Sequence, residues 1–561
     1  MWEQTEKPQD RIERLLVELY GAERAAGMQP ELSALIARYR GRIPAPKQHS
    51  LDQGDAILIT YGDQVQQAGR LPLATLADFA DIWLKGVVSG IHILPFYSST
   101  SDDGFSVSDY YAVDPALGGW EQIERLDSDF RLMFDAVFNH ASAQGAWFKG
   151  YLRDEPEYRD YFIRVEGHPD LSQVVRPRAL PLLTTFRAVD GDRQIWTTFS
   201  ADQVDLNFAN PRVLLQMLDV LLFYVAHGAE LIRLDAIAYL WKQTGTPCIH
   251  LPQTHAVIRL MRAVLDAVAP QVLLVTETNV PHSDNISYFG DGANEAQMVY
   301  NFALPPLVLH TLRTGNDSAL SAWAADLHLP TDRVTFFNFL ASHDGIGLNP
   351  ARGILPPAQI EALVQGALAH GGRVSYKHNP DGSQSPYELN INYFDALSDP
   401  AGGEDETLQV RRFLAAHAIL LALRGVPGIY FHSLFGSRGW PQGVDLLGHN
   451  RAINRQKLAL DELTAELQDP SGRRRVVFDW LSLMLRARAA EPAFDPYAPQ
   501  EVLDVGSGIF ALRRGNVTCL VNVTPRSLAF PPGLRRGNDL LGSRKNAELE
   551  PYGVRWMKMG K

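Results

Sequence analysis

Residues 230–240 read ELIRLDAIAYL, an apolar run that contains Arg233 and Asp235. Similar runs that lead into polar residues occur five more times, as AILITYGDQV (56–65), GIHILPFYSS (90–99), MFDAVFNH (133–140), VLLVTETN (272–279) and VTFFNFLASHD (334–344). Helical segments such as PRVLLQMLDVLLFYVAHG (211–228) lie between these runs. Short buried strands that alternate with helices predict an α/β protein with a parallel sheet, either closed as a barrel or doubly wound.

The polar residues at the ends of the runs favour a barrel. Parallel (β/α)8 barrels place their chemistry on loops that follow several different strands, and four of the runs here end in Asp, Glu or His. Two long segments, 146–200 and 347–400, interrupt the alternation, and long loops in a compact domain are usually functional. After about residue 492, short strands alternate with turns. We therefore predict a (β/α)8 TIM barrel with inserted loop subdomains and a small C-terminal antiparallel β-domain.

This prediction divides the chain into five parts. An N-terminal helical extension is expected in 1–54, because RIERLLVELYG and ELSALIARYRG carry apolar residues at helical spacing. The catalytic barrel is expected in 55–145, 201–346 and 401–491, domain B in 146–200, a loop subdomain B′ in 347–400 and the β-domain in 492–561. The amphipathic N-terminal helices leave room for a homodimer.

Composition indicates a globular, multidomain enzyme. The 561 residues are 46% hydrophobic, and 52 basic minus 64 acidic residues gives a net charge of −12. An acidic chain argues against nucleic acid as the main partner, although a local basic pocket is still allowed. Cys248 and Cys519 stand outside any CxxC pattern, so neither a disulfide framework nor a zinc cluster is indicated. Without a signal-like start or a run of about 18 apolar residues, we expect a cytoplasmic protein with no membrane span.

The polar residues of three runs fit glycoside chemistry. Arg233 lies two residues before Asp235, so both side chains share one face of a strand, where the guanidinium favours an ionised carboxylate. Taken alone, such a pair is more often a structural ion pair, and the companion motifs reverse that preference. Glu277 ends an apolar strand, where burial would raise the pKa of its carboxyl group. Asp344 ends a third strand, and retaining glycosidases need two carboxyl groups about 5 Å apart.

The ordered motifs DAVFNH, QVDLN, RLDA, TE and SHD resemble the α-amylase superfamily, glycoside hydrolase family 13. The resemblance implies that Asp235 is the nucleophile, Glu277 the general acid/base and Asp344 the stabiliser of the transition state. It also implies that three further residues contact the glucosyl unit, namely Arg233, His140 and His343. A degenerate, non-enzymatic relative would normally have lost one of the three carboxylates, and all three are present.

Further segments resemble the sucrose phosphorylase branch of that superfamily. They include ILITYGD, DDGFSVSDY, FALPPLVLH, HDGIG, RGVPGIYFHSLFGS and RAINRQ. The resemblance implies that Asp102 and Arg455 complete the glucosyl subsite and that Phe199 is an aromatic platform, although a single Phe is equally a core residue. It also assigns phosphate or acceptor contacts to Arg178 and Tyr387 of the two long loops. Glu388, next to Tyr387, departs from the Gln of sucrose phosphorylases and is a further candidate for the acceptor side.

The implied activity is a retaining glycoside phosphorylase. A small α-glucoside would give its glucosyl unit to inorganic phosphate by double displacement, yielding α-glucose 1-phosphate, with no metal and no other cofactor. Glu388 and the segment FGSRGWPQGVDLLGHNRAINR resemble glucosylglycerate phosphorylases, which favours 2-O-α-glucosylglycerate as substrate. A glycerate carboxylate would need cationic loop residues, for which the sequence offers Arg176, Arg178, Lys377, His378 and Arg438. Sucrose or sucrose 6-phosphate phosphorylase, glucosylglycerol phosphorylase and a hydrolytic α-glucosidase remain alternatives.

Overall fold

The structure, a computed structural model, describes residues 6–45, 50–379, 382–535, 537–542 and 547–560. Parts of three predicted regions therefore lie outside the described residues, namely 1–5 and 46–49 of the N-terminal extension, 380–381 of the second long loop, and 536, 543–546 and 561 of the C-terminal β-domain.

Eight parallel strands close into a barrel, which confirms the predicted fold class. They are β1 (Ile57–Thr60), β2 (Gly90–Ile93), β3 (Arg131–Ala136), β4 (Ala229–Leu234), β5 (Leu273–Thr276), β6 (Met298–Tyr300), β7 (Thr335–Asn338) and β8 (Val426–Tyr430). Each strand pairs with its neighbours in sequence, and β1 pairs with both β2 and β8 to close the ring. The carboxyl ends of all eight strands therefore meet at one rim.

Two runs that look continuous in the sequence are broken in the structure. The run 56–65 contains β1 and a separate strand, Val65–Gln66, while the run 90–99 contains β2 and Tyr97–Ser99. Pro95 follows β2 and has no backbone N–H with which to extend the ladder. These breaks let the chain turn outward at the rim, where Asp102 follows.

Helices surround the barrel and several begin at a proline, whose fixed φ and missing N–H suit the first helical position. At the helix Pro211–Ala226, Asn210 also caps the helix by accepting from the backbone N–H of Arg212 at 3.1 Å. The α-helices are Pro8–Tyr20, Ala22–Arg40, Pro72–Trp83, Trp120–Asp127, Ala146–Leu152, Pro211–Ala226, Pro252–Val268, His282–Ile286, Leu304–Thr314, Ser318–Ala325, Pro357–Ala369, Tyr393–Leu397, Glu406–Ala422, Phe431–Leu434, Pro441–Leu447, Leu460–Gln468 and Arg473–Ala489.

The remaining strands form small sheets beside the barrel. Three of these sheets have two strands: Val65–Gln66 with Leu458–Ala459, Tyr97–Ser99 with Val107–Val113, and His140–Ser142 with Gln203–Asp205. Two have three strands: one contains Arg164–Val165, Leu183–Ala188 and Gly191–Trp196, and the other contains Ile346–Gly347, Arg373–His378 and Gln384–Asn390. The C-terminal sheet contains Glu501–Val502, Ile509–Arg514, Val517–Asn522, Asn538–Asp539 and Val554–Lys558, with Leu528–Ala529 and Glu548–Leu549 as a further pair. Its pairings are antiparallel, as predicted.

The two N-terminal helices pack on the outside of the barrel. Arg11 forms an ion pair with Asp266 at 2.6 Å, and Tyr20 donates its hydroxyl hydrogen to the carbonyl of Phe208 at 2.8 Å. Tyr39 donates to Asp219 at 2.8 Å. These contacts hold the pair against the helices Pro211–Ala226 and Pro252–Val268, which follow β3 and β4 in the chain.

Candidate active site

A pocket of about 740 Å³, part of it open to solvent, lies at the carboxyl rim of the barrel. Ten of the twelve predicted site residues line it, namely Asp102, His140, Arg178, Phe199, Asp235, Glu277, His343, Asp344, Tyr387 and Glu388. Arg233 and Arg455 lie directly behind these side chains and contact them. The structure thus brings together residues that are up to 353 positions apart in the chain.

Arg233 on β4 forms the base of the pocket. Its Nη1 atom donates to Asp235 Oδ1 at 2.7 Å and also to Asp135, the penultimate residue of β3. Its Nη2 atom lies 3.9 Å from Glu277 Oε2. On the far side, the ring of His92 on β2 hydrogen-bonds to the other oxygen of Asp135 at 2.7 Å. Neighbouring barrel strands therefore hold one buried guanidinium between three carboxyl groups.

Asp235 and Glu277 both line the pocket and influence each other electrostatically. Burial raises the pKa of both carboxyl groups, and the neighbouring carboxylates add to this effect while Arg233 opposes it. Each of two buried carboxyl groups disfavours ionisation of the other, which favours one shared proton. Because Arg233 contacts Asp235 directly and Glu277 only at 3.9 Å, the negative charge is more stable on Asp235 and the proton on Glu277. This is the division that a nucleophile and a general acid need.

Asp344 has a different electrostatic environment. Its Oδ1 atom lies 2.5 Å from Arg451 Nη1, 3.4 Å from His343 Nε2 and 3.6 Å from Arg455 Nη2. Burial alone would raise the pKa of Asp344, but these neighbours, Arg451 above all, outweigh burial and lower it. Asp344 is therefore ionised and negative, as a group that stabilises a cationic transition state must be.

A polar cluster closes the inner end of the pocket. Arg455 lies 3.4 Å from Asp102 and 2.7 Å from Asp103, and both aspartates adopt left-handed backbone angles, with φ of 52° and 47°. His140 hydrogen-bonds through Nε2 to the carbonyl of Phe105 at 2.9 Å, and burial lowers the pKa of its ring. Neutral His, ionised Asp and Arg side chains in a fixed arrangement suit the hydroxyl groups of a sugar.

Phe199 belongs to the pocket and not to the core. Its ring centre lies 5.3 Å from that of His140 and 5.6 Å from that of Tyr239, in a perpendicular arrangement with the latter. Phe199 therefore presents an aromatic surface to the cavity, and its role as a platform for the sugar stays a prediction.

The two long loops meet at the outer side of the pocket. His378 hydrogen-bonds to the carbonyl of Ala179 at 3.2 Å, which joins the segment of Tyr387 to that of Arg178. The side chain of Arg178 is 30% exposed and lies 4.0 Å from Asp102, so its guanidinium keeps donors available for an anion. Glu388 is buried, and Arg451 donates to both of its carboxylate oxygens, at 3.0 and 2.7 Å.

The other proposed loop cations do not all belong to the pocket. Arg438 forms an ion pair with Asp395 at 2.7 Å and donates to Gln409, so it is a structural residue outside the pocket. Arg176 donates to the carbonyl of Leu180 in its own loop. Arg438 was a candidate only because the sequence does not show which loop arginines have partners.

Sequence reasoning missed two cations at the site. Arg451 lies four residues before the predicted Arg455 and lines the pocket between Asp344 and Glu388. Lys242 is buried beneath the pocket, 2.5 Å from Asp205 and 2.7 Å from Asn139, and it also donates to the carbonyl of Tyr239. A basic residue close to a known motif was the only signal in the sequence for either of them.

Neither a membrane nor a metal site is indicated by the described part of the chain. None of its helices combines the length and the apolar character needed to cross a bilayer. Within the same residues, no cluster of three or more His, Cys, Asp or Glu side chains is arranged to hold a metal ion.

Comparisons with known proteins agree with the geometry. Residues 83–344 match the family described as alpha amylase, catalytic domain. A glucosylglycerate phosphorylase from Spirochaeta thermophila is 51% identical over 94% of this chain and 92% of its own length. A sucrose phosphorylase from Agrobacterium vitis is 30% identical over 80% of this chain and 91% of its own length.

A solved structure shows the same fold. The crystal structure of sucrose 6F-phosphate phosphorylase from Thermoanaerobacter thermosaccharolyticum superposes with a TM-score of 0.73, at 24% identity, over 85% of this chain and 96% of the other. With the barrel, the strand-end carboxylates and these relatives in place, the chain belongs to the α-amylase superfamily, glycoside hydrolase family 13, and within it to the sucrose phosphorylase branch.

Proposed function

We propose that this protein is a retaining glycoside phosphorylase that transfers the glucosyl unit of 2-O-α-glucosylglycerate to inorganic phosphate, giving α-glucose 1-phosphate and glycerate. The observation that carries the proposal is the meeting of the Asp235 and Glu277 pair with the accessible guanidinium of Arg178 in one pocket. The 51% identity to a glucosylglycerate phosphorylase supports the choice of substrate.

In the first step, the Asp235 carboxylate attacks the anomeric carbon and the bond from that carbon to the glycerate oxygen breaks. Glu277 gives its proton to the departing oxygen, which leaves a β-linked glucosyl enzyme and an ionised Glu277. Arg233 favours the ionised form of Asp235 through its contact at 2.7 Å. Asp344 stabilises the positive charge that develops on the sugar.

In the second step, a phosphate oxygen attacks the anomeric carbon as the bond to Asp235 breaks. Glu277 accepts the proton of the attacking phosphate, and two inversions restore the α configuration. Phosphate is the co-substrate, and neither step requires a metal ion or an organic cofactor. Arg matches the geometry of phosphate oxygens, so we assign this anion to Arg178 together with Tyr387, which lines the same side of the pocket.

The glucosyl unit is assigned to the inner end of the pocket. We propose that its hydroxyl groups bind Asp102, His140, His343 and Arg455 and that Phe199 forms an apolar platform for the ring. We further propose a cytoplasmic location for this enzyme. The N-terminal helices, which suggested a homodimer, bury most of their apolar residues against the barrel, and the homodimer stays a prediction.

A panel of acceptors tests the substrate. Each of glycerate, glycerol, fructose and fructose 6-phosphate is incubated with the enzyme and α-glucose 1-phosphate, and the release of phosphate is measured. We expect glycerate to react at least ~10-fold faster than glycerol, because its carboxylate can accept a charge-assisted hydrogen bond from an accessible arginine such as Arg178. A preference for fructose, its phosphate or glycerol would replace glucosylglycerate with the corresponding substrate and contradict this part of the proposal.

A further inference from the structure

Arg451 connects two carboxylates at the wall of the pocket. Its Nη1 atom lies 2.5 Å from Asp344 Oδ1, while Nε and Nη2 donate to the two oxygens of Glu388 at 3.0 and 2.7 Å. The guanidinium is planar and rigid, so a two-point contact on one edge fixes the direction of the remaining nitrogen. Glu388 therefore determines where Arg451 presents Nη1 to Asp344.

Glu388 lies in a fixed position from which it binds the guanidinium of Arg451. It lies in the strand Gln384–Asn390, is only 2% exposed, and both of its oxygens accept hydrogen bonds from Arg451. A neutral Gln at this position would offer one acceptor oxygen and would lose the charge attraction. Both oxygens of the Glu388 carboxylate point toward Arg451. The main interaction of Glu388 is therefore with Arg451, and not with an acceptor molecule in the pocket.

Arg451 is also the strongest of the cationic neighbours of Asp344. The charged and titratable groups around Asp344 come from five parts of the barrel rim. Two of these parts supply two residues each, the pair Arg451 with Arg455 and the pair Arg233 with Asp235, and three supply one each, namely His343, Glu277 and Asp102. Several of these neighbours are carboxylates, which would favour protonation of Asp344. Arg451 counteracts them at the shortest distance, 2.5 Å.

We propose that Arg451 and Glu388 form a positioning pair for Asp344, in which Glu388 fixes the guanidinium and Arg451 orients Asp344 toward the glucosyl unit. This inference rests on the proposed function, because that function gives Asp344 its part in the transition state. Under this proposal Glu388 influences cleavage of the glucosyl donor. The sequence predicted a contact of Glu388 with the acceptor, and the proposal adds to that prediction.

α-Glucosyl fluoride separates these two possibilities. Its fluoride leaves without an acid and carries no glycerate group, so kcat/KM for fluoride release reports glucosylation of the enzyme alone. We expect Arg451→Gln to lower this value ~100-fold, as the loss of a preorganised electrostatic contact does, and Glu388→Gln to lower it ~10-fold, as one weakened charged hydrogen bond does. An unchanged value for Glu388→Gln, with only the KM for glycerate raised, would overturn the proposal.

A double-mutant cycle tests whether Glu388 acts through Arg451. When Arg451→Gln is already present, Glu388→Gln should cost less than ~2-fold more, since interacting residues are not additive. Losses that multiply would show that Glu388 acts on its own and would overturn the pairing. The exposed ion pair of Arg513 and Glu501 in the C-terminal sheet supplies the matched controls, Arg513→Gln and Glu501→Gln, which should leave fluoride release unchanged.

Folding of the variants is checked by their thermal melting temperature. If Arg451→Gln does not fold, Arg451→Lys is measured instead. Lysine keeps the positive charge but cannot bind Glu388 and Asp344 through separate guanidinium nitrogens, so we expect an intermediate loss of activity. Full activity of Arg451→Lys would contradict the proposal. Added guanidinium should restore fluoride release in Arg451→Ala by ~10-fold if the contact itself is what is missing. Because fluoride release involves neither phosphate nor glycerate, a different acceptor in the panel above would leave this result interpretable.

Discussion

Arg233 illustrates why the residue type matters at the base of this pocket. One guanidinium contacts Asp135 and Asp235 and lies 3.9 Å from Glu277, which a compact lysine ammonium with three rotating donors does not reproduce. Because the nearest contact is to Asp235, the electrostatic field distinguishes two carboxyl groups that burial alone would treat alike. The different roles that we propose for Asp235 and Glu277 rest on this difference of about one ångström.

A prediction for Glu277 follows from its raised pKa. Glu277 must be protonated to act as an acid, and burial raises its pKa. Activity should therefore persist to higher pH than a free glutamic acid would allow. It should then fall as pH rises through the raised pKa. In Glu277→Gln, we expect kcat/KM for glucosylglycerate to fall by about 10³-fold, within the usual range for loss of general acid catalysis. The variant should keep most of its activity toward α-glucosyl fluoride and lose the alkaline decline.

The control for this prediction is Asp235→Ala, which removes the proposed nucleophile and should abolish turnover of both donors in a protein that still folds. Rates are measured between pH 5 and 10 with both donors. Equal losses for the two donors in Glu277→Gln would show that Glu277 is not the acid, and retained activity of Asp235→Ala would remove Asp235 from the role of nucleophile.

The residues of the site were predictable where a motif carried them. The strand ends RLDA, TE and SHD identified the three carboxylates, and the structure brings them into one pocket. Arg451 was not predicted. It lies in the 3-10 turn Asn450–Asn454 and Arg455 directly follows that turn, so the local sequence does not distinguish the two arginines. Which arginine meets Asp344 or Glu388 depends on contacts across more than 60 positions, which no local pattern reveals.

At the scale of elements, Lys242 links the segments that form the pocket. Its ammonium contacts Asn139 next to His140, Asp205 in the strand Gln203–Asp205, and the carbonyl of the pocket residue Tyr239. Asp205 in turn accepts from the backbone N–H of Thr198, adjacent to Phe199, at 2.8 Å. One buried cation thereby fixes three loops that arise from different parts of the chain.

We expect Lys242→Met to lower the free energy of unfolding by ~3–5 kcal/mol, because it leaves the Asp205 carboxylate buried without its cation. Urea denaturation gives the value, and Lys149→Met, at an exposed position, is the matched control. Lys242→Met combined with Asp205→Asn should recover part of the loss, since no unpaired charge then remains. If Lys242→Met is no more destabilised than the control, this ammonium does not hold the loops together.

The elements themselves were predicted unevenly. The six long runs each contain a barrel strand, whereas β6 and β8 were missed. β6 has only three residues, Met298–Tyr300, and β8 contains Pro427 and Gly428, which disfavour a strand in sequence reasoning. Closure of the barrel supplies the partners on both sides that stabilise such short strands, and this information is not local.

At the scale of the whole molecule, an acidic protein gathers several arginines at one pocket, beside the carboxyl groups that line it. The net charge is −12, yet Arg178, Arg451 and Arg455 surround the pocket. The sequence allowed such a pocket without locating it, because its cations come from a loop in the first half of the chain and a turn near its end. Both proposed products, α-glucose 1-phosphate and glycerate, are anions that this arrangement suits.

Phosphate as the acceptor is the central claim, and incubation of 2-O-α-glucosylglycerate with the enzyme, with and without inorganic phosphate, tests it most directly. We expect α-glucose 1-phosphate to form in step with glycerate when phosphate is present, and only slow release of glucose when phosphate is absent. Release of glucose at the same rate in both reactions, without glucose 1-phosphate, would make the protein a hydrolytic α-glucosidase and contradict the account.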